Sequence, residues 1–313
     1  MKIVVLDGYP LNSGDLDWAP LRAVGELSVF DRTAPDEIEP RARNAEVLLT
    51  IRTALNRETI RHLTNLRFIG ILGSEPGSVN AEAARKRNVV VQHLPGIDAE
   101  SVAQHTMALL LELTNACGHH AHAVRNGRWQ RSQDFTFRFQ SIHLLHGAVM
   151  GLLGYGAIGR VVARMAAGFG MQVHVCDPVL PSVLPPGIQA VSADELFARS
   201  DVLSLHCALT PLTERVVNQA ALARMKPGSY LLNTAHGALV DEDALALALN
   251  NRHLAGAAMD VLSSEPPSPK NPLLRAPRCL ITPRLGWAAL EIRRRIIETV
   301  AQQIAASVFG VAG

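Results

Sequence analysis

Three glycines and one aspartate have the residue types and the spacing that a dinucleotide-binding turn requires. Gly154, Gly156 and Gly159 follow a G-x-G-x-x-G pattern, and Asp177 comes soon after them. In this pattern the first glycine permits a tight turn, the second lets a pyrophosphate approach the backbone, and the third packs a helix against a strand. An acidic residue about 20 positions further along accepts hydrogen bonds from the ribose hydroxyls of NAD. We therefore predict an NAD site, because the Asp177 carboxylate would repel the 2′-phosphate of NADP.

The segments around this pattern predict the elements that position it. The apolar run at residues 148–153 is typical of a central parallel strand that helices cover on both faces. Residues 160–167 carry apolar side chains at helical spacing, and residues 172–176 form a second apolar strand that ends at Asp177. Ala157 and Ile158 lie inside the glycine pattern and complete the predicted cofactor-binding turn.

Length, charge and cysteine usage limit the class of protein. A chain of 313 residues is long enough for two domains, each with its own core. The formal charge of +2 gives no electrostatic footprint for nucleic acid or an anionic membrane. No apolar stretch approaches the roughly 18 residues of a membrane span. The four cysteines are scattered, with no C-x-x-C pair, so we predict reduced thiols and a cytoplasmic location.

One group of residues has the composition of a metal site. Cys117, His119, His120 and His122 lie close together in the sequence. A zinc site needs four converging ligands, whereas adjacent residues of a helix point about 100° apart. We therefore predict that the protein has no metal site.

The first part of the chain predicts a parallel sheet with crossover helices. The predicted strands span residues 3–6, 27–30, 47–51, 68–72 and 89–92, and the clearest helix spans 81–86. Residues 73–78 form a turn after a strand, where open α/β sheets bind ligands. Ser74 in this turn is a candidate substrate-binding residue.

The second part begins with a predicted long helix at residues 98–117. The aromatic-rich segment 126–146 is irregular and predicts an arm that packs on another subunit. Strands and helices then alternate again beyond Asp177, with Ser192 and Glu195 as the capping box of one helix. Residues 286–308 predict a long amphipathic helix that runs back to the first domain.

With these motifs in place, the chain resembles the D-isomer-specific 2-hydroxyacid dehydrogenase family, and within it the glycerate dehydrogenase (hydroxypyruvate reductase) branch. The resemblance covers nearly the whole chain. Besides the glycine pattern it rests on residues 101–106 (SVAQHT), 127–129 (GRW), 206–211 (HCALTP), 232–235 (LNTA), 260–262 (DVL) and 265–267 (EPP).

The resemblance implies an α/β fold of two doubly wound parallel-sheet domains. A Rossmann NAD-binding domain, residues 99–287, would be inserted into a flavodoxin-like substrate domain formed by residues 1–98 and 288–313. It implies hydride transfer between NAD and a small substrate, with a 2-keto acid such as hydroxypyruvate or glyoxylate reduced to a D-2-hydroxy acid, usually in a homodimer. The resemblance also assigns sites: cofactor binding to Cys207, Thr234, Ala235 and Asp260, and substrate binding to Arg52, Ser74 and Glu75.

The catalytic residues implied by the resemblance depart from the family pattern. In the family an arginine holds the substrate carboxylate, a histidine donates the proton, and a glutamate raises the pKa of that histidine. Glu265 matches the glutamate, but His236 stands in place of the arginine and Arg284 in place of the histidine. Arginine has a pKa above about 12 and cannot act as a general acid at neutral pH. We expect Arg284 to form an ion pair with Glu265 if the two are adjacent.

Three functions fit this sequence. The first is an NAD-dependent dehydrogenase with exchanged roles, in which Arg284 holds the carboxylate and His236 transfers the proton. The second is a catalytically impaired NAD-binding protein that acts through partners. The third is a dehydrogenase for a substrate without the usual carboxylate chemistry, as in the formate and phosphite branches. Retention of both residue types favours the first, whereas Glu75 opposes it, because the family has a glycine beside the substrate carboxylate.

Overall fold

The computed structural model describes residues 1–77 and 79–309; Ser78, in the predicted turn, and residues 310–313, in the last predicted domain segment, lie outside the described residues. The chain divides into two compact units, Met1–Asp98 with Trp287–Gly313, and Ala99–Gly286. Each unit contains a parallel sheet with helices. The predicted class, two parallel-sheet α/β domains, is confirmed.

The strands and helices follow one another in regular alternation through most of the chain. The strands are β1 (Lys2–Val5), β2 (Glu26–Val29), β3 (Val47–Thr50), β4 (Phe68–Ile71), β5 (Val90–Gln92), β6 (Val149–Leu153), β7 (Gln172–Cys176), β8 (Ile188–Ala190), β9 (Val202–Leu205), β10 (Tyr230–Asn233), β11 (Gly256–Met259) and β12 (Cys279–Ile281). The helices are α1 (Ala19–Arg22), α2 (Ile38–Ala42), α3 (Arg57–His62), α4 (Ala81–Lys86), α5 (Ala99–Asn115), α6 (Cys117–Arg125), α7 (Ala157–Gly168), α8 (Ala193–Arg199), α9 (Gln219–Arg224), α10 (Glu242–Asn250) and α11 (Leu290–Phe309).

The first unit has the strand order β2-β1-β3-β4-β5. All its ladders are parallel, and the direction of winding reverses between β1 and β3. This is the flavodoxin-like order, and its switch point is where such sheets bind ligands. Helix α11 belongs to this unit, because its apolar side chains pack in one cluster with those of β1 and β3.

The second unit has the strand order β12-β11-β10-β9-β6-β7-β8, again with parallel ladders. The winding reverses between β6 and β9, as in a Rossmann sheet extended by one strand. Two clusters of buried apolar residues cover the sheet. Strands β9 and β10 are buried at every position, which explains their nearly continuous apolar sequences.

Two sequence predictions concern helices of the second unit. The capping box is confirmed, since the Ser192 side chain accepts from the Glu195 N–H and the Glu195 side chain accepts from the Ser192 N–H. The long helix predicted at residues 98–117 is found as α5, Ala99–Asn115, which ends two residues earlier than predicted. Ala116 adopts a left-handed conformation (φ 51°, ψ 42°) that ends α5 and lets α6 start in a new direction.

None of the helices in the described part of the chain is both long and apolar enough to cross a membrane.

Candidate active site

The turn after β6 has a geometry that only glycine permits at two of its positions. Gly154 has a φ of 101°, and a Cβ atom there would lie 2.5 Å from the backbone nitrogen of Cys207. A Cβ atom on Gly159 would lie 2.4 Å from the carbonyl oxygen of Gly154. Both distances are far below van der Waals contact, so any larger residue would open the turn.

The middle glycine differs from the other two. A Cβ atom on Gly156 would have no described heavy atom within 4 Å, and Gly156 is exposed. It precedes α7, whose N-terminus receives no side-chain cap from any described residue. The first N–H groups of a helix attract anions, both as hydrogen-bond donors and through the helix dipole. The exposed turn and this helix start, at Ala157 and Ile158, therefore fit a pyrophosphate.

Asp177 lies at the end of β7, beside the glycine turn. One carboxylate oxygen accepts from the Tyr155 N–H at 2.7 Å, and the other accepts from the Val179 N–H at 2.8 Å. These bonds fix the orientation of the carboxylate. Because a carboxylate has about four acceptor sites, it can still accept hydrogen bonds from two ribose hydroxyls.

Cys207 and His206 lie beneath the same turn, directly after β9. Burial raises the pKa of the Cys207 thiol to about 11, so this side chain is a neutral apolar group and not a nucleophile. Burial lowers the pKa of His206 to about 3. Its ring contacts the Ser204 hydroxyl through Nε2 at 2.9 Å. His206 is therefore a neutral, structural histidine near neutral pH.

The three predicted catalytic residues follow neighbouring strands of the second sheet. His236 follows β10, Glu265 follows β11, and Arg284 follows β12. These strands are adjacent and parallel, so their carboxyl ends share one edge of the sheet.

Asn233 fixes the turn that carries His236. Its buried side-chain amide donates to the His236 carbonyl oxygen at 2.8 Å, and its side-chain oxygen accepts from the Ala235 N–H at 3.1 Å. Gly237 packs so closely on the loop after β11 that a Cβ atom there would lie 2.0 Å from the Leu262 carbonyl carbon. The turn is therefore held on both sides of His236.

Thr234 in the same turn faces helix α5. Its hydroxyl lies 2.9 Å from the Thr106 hydroxyl, which itself donates to the Val102 carbonyl oxygen. A hydroxyl has one hydrogen, so Thr234 must be the donor to Thr106. The Thr234 hydroxyl can therefore accept a hydrogen bond from a ligand but cannot donate one.

Arg284 and Glu265 form the expected ion pair, which confirms that prediction. Nη1 of Arg284 lies 3.2 Å from Oε1 and 3.3 Å from Oε2 of Glu265. Oε1 of Glu265 also accepts from the Leu262 N–H at 3.3 Å. Arg284 has a left-handed backbone (φ 56°), which is costly for a residue with a side chain.

Asp260 holds the backbone of the Arg284 turn in this conformation. Its carbonyl oxygen accepts from the Arg284 N–H at 2.9 Å, and its two carboxylate oxygens accept from the N–H groups of Leu285 and Gly286, both at 2.8 Å. The carboxylate also accepts from Thr282 and contacts His105. Burial acts to raise the pKa of Asp260, but the hydrogen bonds from these groups outweigh it and lower that pKa.

These contacts add a role for Asp260 beside the predicted contact with the cofactor. The carboxylate is buried and engaged by four donor groups of the protein itself. His105 and Thr282, which the site prediction did not include, take part in this network. The sequence signal was an acid directly after a buried strand, but its partners are distant in sequence.

The predicted substrate-binding residues lie in the first unit. Arg52 follows β3, and its side chain is exposed; Ser74 and Glu75 follow β4. The Ser74 hydroxyl donates to the Asp98 carboxylate at 2.9 Å, and Glu75 is exposed. Asp7 after β1 is an additional residue near this group, because it accepts hydrogen bonds from the loop that carries Arg52.

The described residues contain no group of three or more His, Cys, Asp or Glu side chains that could hold a metal ion. The ring of His119 stacks on Phe139 at 4.1 Å, and His120 contacts the Ala116 carbonyl oxygen through Nδ1.

Fold and site together define a dehydrogenase with a Rossmann dinucleotide-binding unit. Residues 107–286 match the D-isomer specific 2-hydroxyacid dehydrogenase, NAD binding domain, family. A hydroxypyruvate reductase of Blautia hydrogenotrophica is 40% identical over 95% of this chain and 94% of its own length. A glycerate dehydrogenase of Methylorubrum extorquens is 32% identical over 99% of this chain and 96% of its own length.

Solved structures agree with these sequence relationships. The crystal structure of a Thermus thermophilus protein superposes with a TM-score of 0.86 at 34% identity, covering 99% of this chain and 97% of that one. The chain belongs to the D-isomer-specific 2-hydroxyacid dehydrogenase family, in its glycerate dehydrogenase and hydroxypyruvate reductase branch. It is an oxidoreductase whose cofactor is NAD.

Proposed function

We propose that the protein reduces a small 2-keto acid, hydroxypyruvate or glyoxylate, to the D-2-hydroxy acid, with the roles of the family arginine and histidine exchanged. Arg284 binds the substrate carboxylate, and His236 donates the proton to the keto oxygen. The observation that carries this proposal is the ion pair between Arg284 and Glu265, because it makes position 284 a fixed cation.

The chemistry of arginine supports this assignment. A guanidinium keeps its proton at all pH values near neutrality, so Arg284 can bind an anion but cannot supply a proton. It has five N–H donors, and Glu265 is contacted through Nη1. Donors therefore remain for a bidentate contact with a carboxylate.

His236 is the side chain at this sheet edge best suited to proton transfer. The ordinary pKa of histidine lies near neutrality, where a general acid is most effective. Its turn is fixed by Asn233 and Gly237, so the imidazole is carried by a rigid segment. Glu265 completes the proposed catalytic group as a positioning residue, because its charge orients Arg284.

We assign NAD to the second unit, Ala99–Gly286, and the substrate contacts outside the catalytic group to the first. The bound NADH supplies the hydride. The proposed cofactor contacts are Gly154, Gly156, Ala157, Ile158, Gly159, Asp177, Cys207, Thr234, Ala235 and Asp260. The proposed substrate contacts of the first unit are Arg52, Ser74 and Glu75.

Steady-state oxidation of NADH with hydroxypyruvate, glyoxylate and pyruvate tests this function. We expect turnover with at least one of them, and a fall in kcat of about 10²- to 10⁴-fold in His236→Gln, the typical contribution of a general acid. His253→Gln, which changes a histidine outside the proposed site, is the matched control. Absence of turnover with all three acids would contradict the proposal.

A catalytically impaired NAD-binding protein is the second candidate, and the lost histidine at position 284 favours it. That candidate predicts NADH binding without turnover in the unmodified protein. The double variant His236→Arg with Arg284→His would then create activity, because it places a histidine beside Glu265. Turnover by the unmodified protein eliminates this candidate.

We further propose that the protein is a cytoplasmic homodimer. All four cysteines are free thiols, which suits a reducing compartment. The arm at residues 126–146 exposes large apolar side chains, with Phe135 90% and Leu144 81% exposed. Light scattering should give the mass of a dimer, and Leu144→Glu should shift it to that of a monomer. A monomeric unmodified protein would contradict the assignment.

A further inference from the structure

We propose that Asp7 is a positioning residue that sets substrate affinity by holding Arg52 in place to bind the carboxylate of the keto acid. This inference rests on the proposed function, since it takes the substrate to be a small carboxylate anion. Arg52 makes the contact with the substrate, and Asp7 acts only through Arg52.

The Asp7 carboxylate binds the backbone of the loop after β3. It accepts hydrogen bonds from the N–H groups of three successive residues, Ile51, Arg52 and Thr53, each at 2.8 Å. The N–H of Arg52 itself is the middle one of the three. The carboxylate therefore fixes the backbone at Arg52 and at the residue on each side of it.

Two hydroxyl groups complete the network around this carboxylate. The Thr53 hydroxyl donates to Asp7 at 2.9 Å, and the Thr50 hydroxyl lies 3.2 Å from it. The loop is thus attached through side chains as well as through the backbone. Charge-assisted hydrogen bonds of this kind are roughly twice as strong as those between neutral groups.

The topology places this loop where a parallel sheet binds ligands. Asp7 follows β1 and Arg52 follows β3, and these two strands flank the point at which the winding of the first sheet reverses. Ligands of open α/β sheets lie outside the carboxyl ends of the strands at this switch point. Arg52 has an exposed side chain there, and its cationic guanidinium suits a carboxylate.

The second unit has a related arrangement at Arg284. Asp260 follows β11; its backbone carbonyl oxygen accepts from the Arg284 N–H, and its carboxylate accepts from the N–H groups of Leu285 and Gly286. Each unit therefore presents an arginine on a loop whose successive N–H groups are held by an acid at the end of the adjacent strand. A loop so held fixes the backbone from which its arginine projects, and this lowers the entropy lost when a substrate binds.

An acid is needed at position 7 because a carboxylate only accepts hydrogen bonds. Asp7→Asn would turn an amide NH₂ toward backbone N–H groups, and the loop would have to shift to avoid the facing donors. Thr53→Val removes only the hydroxyl donor and is the milder change. Asp31→Asn is the matched control, since Asp31 is an exposed acid that follows β2 in the same unit.

The test measures the Kd of hydroxypyruvate for the protein saturated with NAD⁺, by calorimetry. The oxidised cofactor prevents reduction, so binding is measured whether or not the enzyme turns over. We expect a rise in Kd of about 10- to 100-fold for Arg52→Ala, about 10-fold for Asp7→Asn and a few-fold for Thr53→Val, in the range of hydrogen bonds to charged groups. Asp31→Asn should leave Kd unchanged.

The double variant Asp7→Asn with Arg52→Ala separates positioning from a general structural role. If Asp7 acts through Arg52, the double variant has the Kd of Arg52→Ala alone, to within about 2-fold. A further rise in the double variant overturns the inference, as does an unchanged Kd in both Asp7→Asn and Thr53→Val. If Asp7→Asn does not fold, the same comparison is made with Thr53→Val. The keto-acid turnover assay judges the proposed function independently, because it uses the unmodified protein, in which Arg52 and Asp7 are both intact.

Discussion

The guanidinium of Arg284 lies 3.2 Å from the carboxylate of Glu265, on loops that follow two adjacent strands. The side chains of Arg284 and Glu265 are 35% and 19% exposed, so the pair is partly shielded from water. In the family pattern a histidine occupies this place and transfers the proton. In the proposed function, this pair moves proton transfer to His236 and leaves a cation that can bind the substrate carboxylate.

Replacing Arg284 by lysine should weaken substrate binding more than it slows the reaction. Lysine keeps the charge but lacks the planar pair of donors that fits a carboxylate, so we expect KM for hydroxypyruvate to rise about 10-fold with a smaller change in kcat. Steady-state kinetics measure both. Arg278→Lys is the control, because Arg278 also has a left-handed backbone and lies at the other end of β12. Equal KM values for Arg284→Lys and the unmodified enzyme would exclude Arg284 as a carboxylate-binding residue.

Replacing Glu75 by glutamine should improve the binding of an anionic substrate. Two charges about 4 Å apart at an effective dielectric of about 20 repel by roughly 4 kcal/mol, but Glu75 is exposed, and water and salt screen most of this. We expect KM for hydroxypyruvate to fall about 3- to 10-fold, more at low ionic strength. Glu82→Gln on α4 is the matched control. A KM that rises would mean that Glu75 helps to bind the substrate.

Alanine at two glycines of the turn should separate folding from cofactor binding. Gly156→Ala meets open space, so the protein should fold normally while the added methyl group obstructs the pyrophosphate and raises the Kd of NADH about 10-fold or more. Gly154→Ala combines a φ of 101° with a 2.5 Å contact and should destabilise the fold by about 2 kcal/mol or more. Fluorescence titration measures the Kd of NADH, and urea unfolding measures the free energy of unfolding. Together they distinguish the two variants. Normal NADH affinity in Gly156→Ala would place the pyrophosphate elsewhere.

Acid should destabilise the second unit through its buried histidines. Burial lowers the pKa of His206 from 6.5 to about 3, so the unfolded chain binds this proton more readily than the folded one. Above pH 6.5 the ring is neutral in both the folded and the unfolded chain, so the proton costs no stability. The free energy of unfolding falls as the pH falls from 6.5 toward 3. At a pH of about 5 the loss reaches up to about 2 kcal/mol, and His174, whose pKa is also lowered by burial, acts in the same direction.

Urea unfolding at two pH values measures this dependence. The free energy of unfolding of the unmodified protein should fall between about pH 7 and pH 5, and His206→Gln should show a smaller fall. Asp260 does not contribute to the change in the free energy of unfolding between about pH 7 and pH 5. The lowered pKa of Asp260 stabilises the fold at these pH values, and this stabilisation is lost only at more acidic pH. An identical fall in His206→Gln would assign the effect to other groups.

The elements of the fold were predictable because they depend on local patterns. Strand β4 was predicted at residues 68–72 and is found at Phe68–Ile71, and helix α4 has the predicted bounds, Ala81–Lys86. Apolar runs and helical periodicity fix such elements within a few residues. The break at Ala116 was not predictable in this way, because alanine favours helix and only its tertiary surroundings hold it in a left-handed conformation.

Only the tertiary structure decided which polar groups meet. The sequence determined the glycine turn and Asp177, because their function depends on spacing within one βαβ segment. The exchange of arginine and histidine at positions 284 and 236 stays a prediction from the family resemblance. The sequence did not show that Asp260 holds the Arg284 turn, or that Asp7 holds the Arg52 loop. Those partners lie 25 and 45 residues apart in sequence, and they meet because neighbouring parallel strands end at the same edge of a sheet.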